Sequence, residues 1–327
     1  MKCEYAIPVS YMNIWLRREY ILSVLRFTAV PSGSTPAYTD ASIFTDTPMS
    51  AATLYALAAI LISSSLALLS VQLGQVPPFL LVGLALCIGG LCGLPRWRDW
   101  RVPKKTLLLG CYGLFGYHFC LFIALRYAPP LEANLINYLW PLLLVLLSPI
   151  LLPPTKLEAR HWIGGFLGLA GCVLVVLGKS SLSLQGQHGL GYLLAALAAV
   201  MWASYSLLTR RVPPFPTGAI GGFCLASGLL SLLAHALLEP AYTLSAGEWG
   251  RLALLGLGPM RASFFLWDAA LKRGDARAIG TLAYLTPLLS TALLALFGAG
   301  QFAWQAAVAL VLILSGAWMG RSRQQAA

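Results

Sequence analysis

The chain has 327 residues, of which 58% are hydrophobic and 10% charged, with a net charge of +11 and a mean hydropathy of +0.76. A soluble domain carries about 25% charged residues, so a soluble globular fold is excluded. Apolar runs long enough to cross a bilayer recur almost to the C-terminus, which marks a polytopic all-α membrane protein. The basic charge does not point to nucleic acid, because it sits in short loops between apolar spans rather than on one soluble face.

Residues 1–49 differ from the rest. They are polar, carry no run long enough to span, and end in a Ser/Thr/Pro/Asp-rich tract without the pattern of a signal peptide. The segment IWLRREYILSVL at 14–25 could lie in the interface as an amphipathic helix. The plainer reading, which we adopt, is a disordered extension or sequence upstream of a start at Met49.

From there ten spans are expected: 51–70, 78–95, 106–126, 131–151, 161–178, 189–209, 217–238, 250–271, 276–298 and 302–320. Lysine and arginine mark the sidedness. The loop after the second span holds Arg96, Arg98, Arg101, Lys104 and Lys105, and the loop after the fourth holds Lys156 and Arg160. Arg210 and Arg211 follow the sixth, Lys272, Arg273 and Arg277 the eighth, and Arg321 and Arg323 the tenth. The opposite side has only Arg126, Lys179 and Arg251. Both termini are therefore expected in the cytoplasm. Of the seven cysteines, six fall in apolar spans without metal-type spacing, so neither a metal site nor a disulfide framework is expected.

The chain also resembles itself. Residues 107–144 slide onto 253–290 without a gap, bringing Ala124-Leu125-Arg126 onto Ala270-Leu271-Lys272, Tyr138 onto Tyr284 and Pro141 onto Pro287. The starts of the halves match less strongly, with Ser64 on Ser204. Two halves, 50–178 and 189–327, are thus expected on either side of a linker at 179–188. Five spans is an odd number, so the second half enters from the opposite side. This is the inverted repeat common in secondary transporters, whose substrate site lies near the midplane between halves around a central cavity.

Polar and aromatic residues inside the spans are the site candidates. The third span carries Gly113, Gly116 and Cys120 on a small face, with Tyr117 beside it and His118 pointing away. An ionisable side chain at that depth is a functional candidate; the alternative is a neutral histidine satisfied by a backbone carbonyl or a tyrosine. The fourth span, LEANLINYLWPLLLVLLS, places Asn134, Asn137, Tyr138, Trp140, Pro141 and Ser148 on one arc if it is a continuous helix. Tyr138 and Trp140 lie too deep for an interfacial belt. Pro141 and Pro287 would act as hinges. In the sixth span Trp202, Tyr205, Ser206 and Thr209 share a face with small residues, which suits an apolar ligand with one polar end. Ser64 is the serine of the first span taken as facing the cavity; Trp267, Tyr284 and Thr286 are weaker candidates. Asp268 reads as paired with Lys272 one turn on, near the cytoplasmic end. Glu132 is expected at the interface, near a helix N-terminus. Arg261, in the middle of the eighth span, needs a partner, a carbonyl cluster or a wet cavity; binding a carboxylate is one use. No Walker A pattern, HExxH pair or nucleophile–base–orienter set is present, so neither an ATP-driven pump nor an enzyme is indicated.

The two-halved, ten-span plan, the NYLWPLLLVLLSP run at 137–149 and the FFLWDAALKRGD run at 264–275 resemble the drug/metabolite transporter superfamily (EamA-type), within it the bacterial aromatic amino-acid exporter branch. The resemblance covers about 51–320. It implies a basket-like bundle with a central cavity opening outward, and export of amino acids with large hydrophobic or aromatic side chains across the inner membrane. It also implies a cavity lined by Tyr117, His118, Tyr138, Trp140 and Trp202. Asn137, Tyr205 and Ser64 join that set from the residue reading. A monomer in the lipid bilayer, needing no cofactor, is expected. The rivals are transport of another small metabolite or drug-like compound, or a membrane enzyme or scaffold. Arg261 departs from the family, which has a small residue at this place.

Overall fold

A computed structural model describes residues 50–153, 157–177, 188–297 and 304–319. The N-terminal extension 1–49, with its interfacial segment and the proposed start, and nearly all of the 179–188 linker lie outside them. The account that follows concerns the unit Met49–Ala327.

Among the described residues all regular structure is helical. Helix α1 (Ala51–Gln72) starts at Ser50, whose hydroxyl accepts from the Thr53 N–H. Helix α2 (Pro78–Leu91) starts on Pro77 and Pro78, which lack N–H groups where a helix start has no use for them. The second span was expected to run straight to 95. Instead α2 stops at Leu91 and turns by 92° into a 3-10 segment, Leu94–Trp100. Gly93 precedes that segment and Pro95 opens it, and proline cannot continue the α-helical hydrogen bonding.

Helix α3 (Lys104–Tyr127) contains a π turn at Tyr112–Gly116. Helix α4 is two segments, Pro130–Asn137 and Trp140–Leu151. Helix α5 (Ala159–Leu177) is followed by α6 (Gly189–Leu208) and α7 (Ala219–Leu238). Helix α8 is built as Ala246–Leu257, a π turn at Gly258–Ala262, and Ser263–Arg273. Helix α9 again has two segments, Ala276–Leu282 and Leu285–Leu296, and α10 is Trp304–Met319. A capping box between Ser245 and Glu248 starts α8. The Ser245 backbone N–H and hydroxyl, with the Tyr242 hydroxyl, hold the Glu248 carboxyl below its ordinary pKa.

The breaks have a common cause. Proline offers no N–H to the carbonyl four residues earlier, so Pro141 frees Asn137 and Pro287 frees Ala283. In the second half a local 3-10 bond takes up the freed carbonyl, Thr286 donating to Ala283 at 3.0 Å; in the first, Leu139 donates one residue earlier, to Ile136 at 3.1 Å. The π turn of the second half stands 146 residues after that of the first, Gly258 after Tyr112, and the break falls within one residue of the same offset, Leu285 reopening the helix as Trp140 does.

Packing follows the same pattern. Helix α6 lies along the second segments of α3 and α4, and α1 lies along the second segments of α8 and α9; α2 pairs with α7 and α5 with α10. The α2–α7 pair is close because glycine faces it: a Cβ on Gly83 would stand 2.7 Å from Leu232, and one on Gly228 2.9 Å from the Gly83 carbonyl. Leu61, Leu108, Ile150, Leu193, Leu237 and Leu296 point outward and are exposed, while Ser64, His118, Asn137, Ser206 and Asp268 are buried. Apolar side chains outside and polar ones inside are the arrangement a bilayer demands. Among the described residues six helices are long and apolar enough to cross a membrane, α1, α3, α4, α6, α7 and α9, or seven if α2 and its bent continuation count as one. The six described cysteines are free thiols.

Candidate functional site

The interruptions aim side chains inward. Tyr117 and His118 directly follow the first π turn, Phe264 closely follows the second, and Trp140 opens α4 after its break. Single π turns are frequent where a helix must redirect side chains at functional sites. All meet Trp202 of α6 or one another. Ring centroids lie 5.2 Å apart for Tyr117–Trp202, 5.6 Å for Trp202–Phe264, 6.3 Å for Trp140–Trp202 and 5.5 Å for Trp140–Trp267. Tyr205 joins at 5.6 Å from Trp202, and His118 faces Phe264 at 6.5 Å. Most of these pairs are tilted or edge-on, the geometry that aromatic quadrupoles favour.

Hydrogen bonds fix the polar ends. Asn137 Nδ2 donates to the Tyr117 hydroxyl at 3.2 Å, and Trp267 Nε1 donates to Ser206 Oγ at 3.2 Å. His118 Nδ1 lies 2.6 Å from the Leu114 carbonyl. A carbonyl only accepts, so Nδ1 carries the hydrogen. The backbone partner anticipated as the plain alternative for His118 is thus present, with the ring still against the aromatic group.

Below Trp202 a narrow cleft is lined by Trp202, Tyr205, Ser206, Thr209, Phe264, Trp267, Asp268 and Leu271, with room for about one water-sized group. Asp268 closes it. Its Oδ2 accepts from Lys272 Nζ and Thr217 Oγ1, both at 2.7 Å, while Oδ1 accepts from no described residue. The Lys272 ammonium also donates to the Phe215 carbonyl at 2.9 Å and stands 3.9 Å from the Phe215 ring centre. The expected Asp268–Lys272 pair is therefore real, but the aspartate is only 4% exposed and faces inward.

Not every expected residue arrives here. The arc drawn on a continuous fourth span does not survive the break at Tyr138-Leu139. Asn137 and Trp140 reach the aromatic group, but Tyr138 packs with Leu142, Tyr284 and Leu285 on the α5–α9 side, and Ser148 bonds back to Val145. Ser64 is sealed between α1 and α9, donating to Ile60 at 2.7 Å and lying 3.3 Å from the Thr286 carbonyl. Glu132, expected at the interface, is buried with Oε2 unbonded among the described residues. Arg261 finds a carbonyl, not a carboxylate: Nη2 donates to Cys92 at 3.0 Å, at the point where α2 ends. Pro141 and Pro287 each sit just past a break. Phe264 was not anticipated, yet the 146-residue offset carries His118 onto it. No grouping of His, Cys, Asp or Glu among the described residues could hold a metal ion.

The EamA-like transporter family matches residues 49–177 and, separately, 189–320. The chain is 42% identical over 276 residues to the aromatic amino acid exporter YddG of Ancylobacter novellus, covering 82% of this chain and 96% of that protein. It is 30% identical to the aromatic amino acid exporter YddG of Salmonella typhimurium, over 71% of this chain and 82% of the relative. A solved crystal structure at 42% identity superposes with a TM-score of 0.78 and covers 82% of this chain and 95% of that one.

Proposed function

We propose that this chain, which belongs to the EamA-like transporter family, exports amino acids with large hydrophobic or aromatic side chains by alternating access. The observation that carries the reading is the group of aromatic rings from α3, α4, α6 and α8 gathered around Trp202 and bordering a cleft with a polar end. An aromatic side chain stacks in such a surround, and the polar end meets its amino-acid moiety. The names of the two relatives agree with it.

In this reading the chain has ten spans in two inverted five-helix halves, with both termini on the cytoplasmic side of a bacterial inner membrane. Three features support the repeat. The π turns recur at an offset of 146 residues and the breaks within one residue of it. The helix pairings of one half mirror those of the other. The family matches each half separately. The strong excess of Lys and Arg in alternate loops supports the orientation. Tyr117, Trp140, Trp202 and Tyr205 form the aromatic wall, His118 a hydrogen-bonding contact, and Asn137 a support for Tyr117. Tyr138 and Ser64 then serve the helix contacts behind that wall. The cleft admits about one water-sized group, so a substrate must part the rings, and the breaks beside Pro141 and Pro287 supply the bend.

The test is counterflow of radiolabelled phenylalanine in proteoliposomes of the purified chain, without ATP or an imposed ion gradient. The wild type exchanges phenylalanine, and Trp202→Ala reduces exchange at least tenfold. Equal exchange by both would remove the aromatic site, and absence of exchange by a folded wild type would remove the substrate class.

A further inference from the structure

We propose that Asp268 Oδ1 receives the α-ammonium group of the transported amino acid; this rests on the function proposed above. Three observations meet at this atom. It belongs to a side chain 96% removed from solvent, it borders the cleft beneath Trp202, Phe264 and Trp267, and it accepts no hydrogen bond from a described residue. A buried carboxylate oxygen without a donor is costly, and the cost is offset when a donor arrives. The carboxylate cannot turn away to satisfy itself, because Lys272 and Thr217 both hold Oδ2 at 2.7 Å.

The space matches the group. A cleft with room for one water-sized body also admits an –NH3+, which brings three N–H donors. Thr209 and Ser206 offer hydroxyl oxygens on the same lining. The indole and phenyl walls favour a cation at their faces. The aromatic side chain of the substrate does not fit the cleft itself and extends upward among Tyr117, Trp140 and Trp202. Amine recognition and ring recognition are thereby assigned to different parts of the site, and the cleft's polar end selects amino acids over plain aromatic acids.

The test measures inhibition of phenylalanine counterflow by two analogues. Phenethylamine keeps the ammonium and lacks the carboxylate; 3-phenylpropionate keeps the carboxylate and lacks the ammonium. With the wild type, phenethylamine competes and 3-phenylpropionate competes at least tenfold more weakly. In Asp268→Asn, phenylalanine exchange falls at least tenfold, as expected for loss of a hydrogen bond to a charged acceptor, and the preference between the analogues disappears. Because Asp268→Asn leaves Lys272 without its carboxylate, Asp268→Asn combined with Lys272→Met is measured beside it as a charge-balanced form. A wild type that takes both analogues equally, or a folded variant that keeps the preference, overturns the assignment to Asp268 while leaving phenylalanine export intact. A wild type that exchanges no phenylalanine overturns the function on which the assignment rests.

Discussion

Glu239 should be among the residues the fold tolerates least, and Glu239→Gln measures how much. Its side chain is fully buried at the end of α7. It accepts from the Phe79 N–H at 3.1 Å and the Leu80 N–H at 3.2 Å, capping α2, whose own first residues are prolines. It also accepts from Arg126 Nη2 at 2.7 Å and His235 Nδ1 at 2.9 Å. One carboxylate thus fastens α2, α3 and α7. Hydrogen bonds to a charged group contribute about 1.5–3 kcal/mol each, net. A glutamine oxygen can still face the α2 N-terminus, but its NH2 then meets Arg126, a donor against a donor. The loss expected is about 2–4 kcal/mol, close to what breaking a buried ion pair costs. At roughly 2–4 °C per kcal/mol for a domain of this size, the melting temperature should fall by about 5–15 °C. The assay is thermal unfolding in detergent, followed by dye labelling of the buried thiols Cys172 and Cys224. Arg126→Lys is the control: it keeps a positive charge beside the carboxylate from a side chain that is 38% exposed, and it should cost no more than about 1 kcal/mol. A Glu239→Gln protein melting within 2 °C of wild type would refute the argument.

Two further outcomes follow from the packing. A Cβ on Gly113 would collide with the Tyr205 ring, whereas one on Gly250 would meet nothing. Gly113→Ala should therefore destabilise by about 1–3 kcal/mol through forced separation of α3 and α6, and Gly250→Ala should melt with the wild type. Arg261 is buried, donates to a carbonyl among the described residues and stands beside the Phe265 ring, away from the cleft lining. Replacing a buried charge with a side chain of similar volume is often neutral or stabilising, so Arg261→Met should keep the melting temperature and the phenylalanine exchange rate; a tenfold loss of exchange would place Arg261 in the transport path after all.

What could be read from residue order was decided by local physics. Apolar runs near twenty residues fix where the spans lie, and Pro141 and Pro287 announce a bend because a missing N–H acts locally. The π turns were invisible, since each inserts one residue into a helical register without changing composition. They matter because they turn Tyr117, His118 and Phe264 inward. Tyr138 stands apart for a related reason: it lies in the break ahead of Pro141, where the continuous helix that defines the arc is interrupted. The inward role of Asp268 was equally hidden. Spacing reveals Lys272 four residues on, but burial is supplied by Phe215 and Thr217, more than fifty residues away. Such long-range cover has no signature in the order of residues, which shows only an i,i+4 pair near the cytoplasmic end of its span.

The repeat explains why a near-symmetric scaffold carries a one-sided site. VPPF stands at 76–79, where α2 starts, and again at 212–215, a few residues ahead of α7. In each case a cation from the end of the helix 146 residues apart in register sits over that phenylalanine: Arg126 over Phe79 at 5.5 Å and Lys272 over Phe215 at 3.9 Å. These are related closures, and the inverted topology proposed above would put them at opposite faces of the membrane. Their carboxylates break the symmetry. Arg126 is answered by Glu239, from α7, whereas Lys272 is answered by Asp268, from its own helix. The position that repeats Asp268 in the first half is Phe122, and the one that repeats Trp267 is Leu121. A symmetric pair of halves suffices for rocking, because both openings need equivalent hinges and closures. An amino acid is not symmetric, so its polar end needs a pole in one half only. In the assignment proposed for Asp268, the difference of Asp268 and Trp267 from Phe122 and Leu121 supplies that pole and leaves the proline breaks and the cation–phenylalanine closures alike.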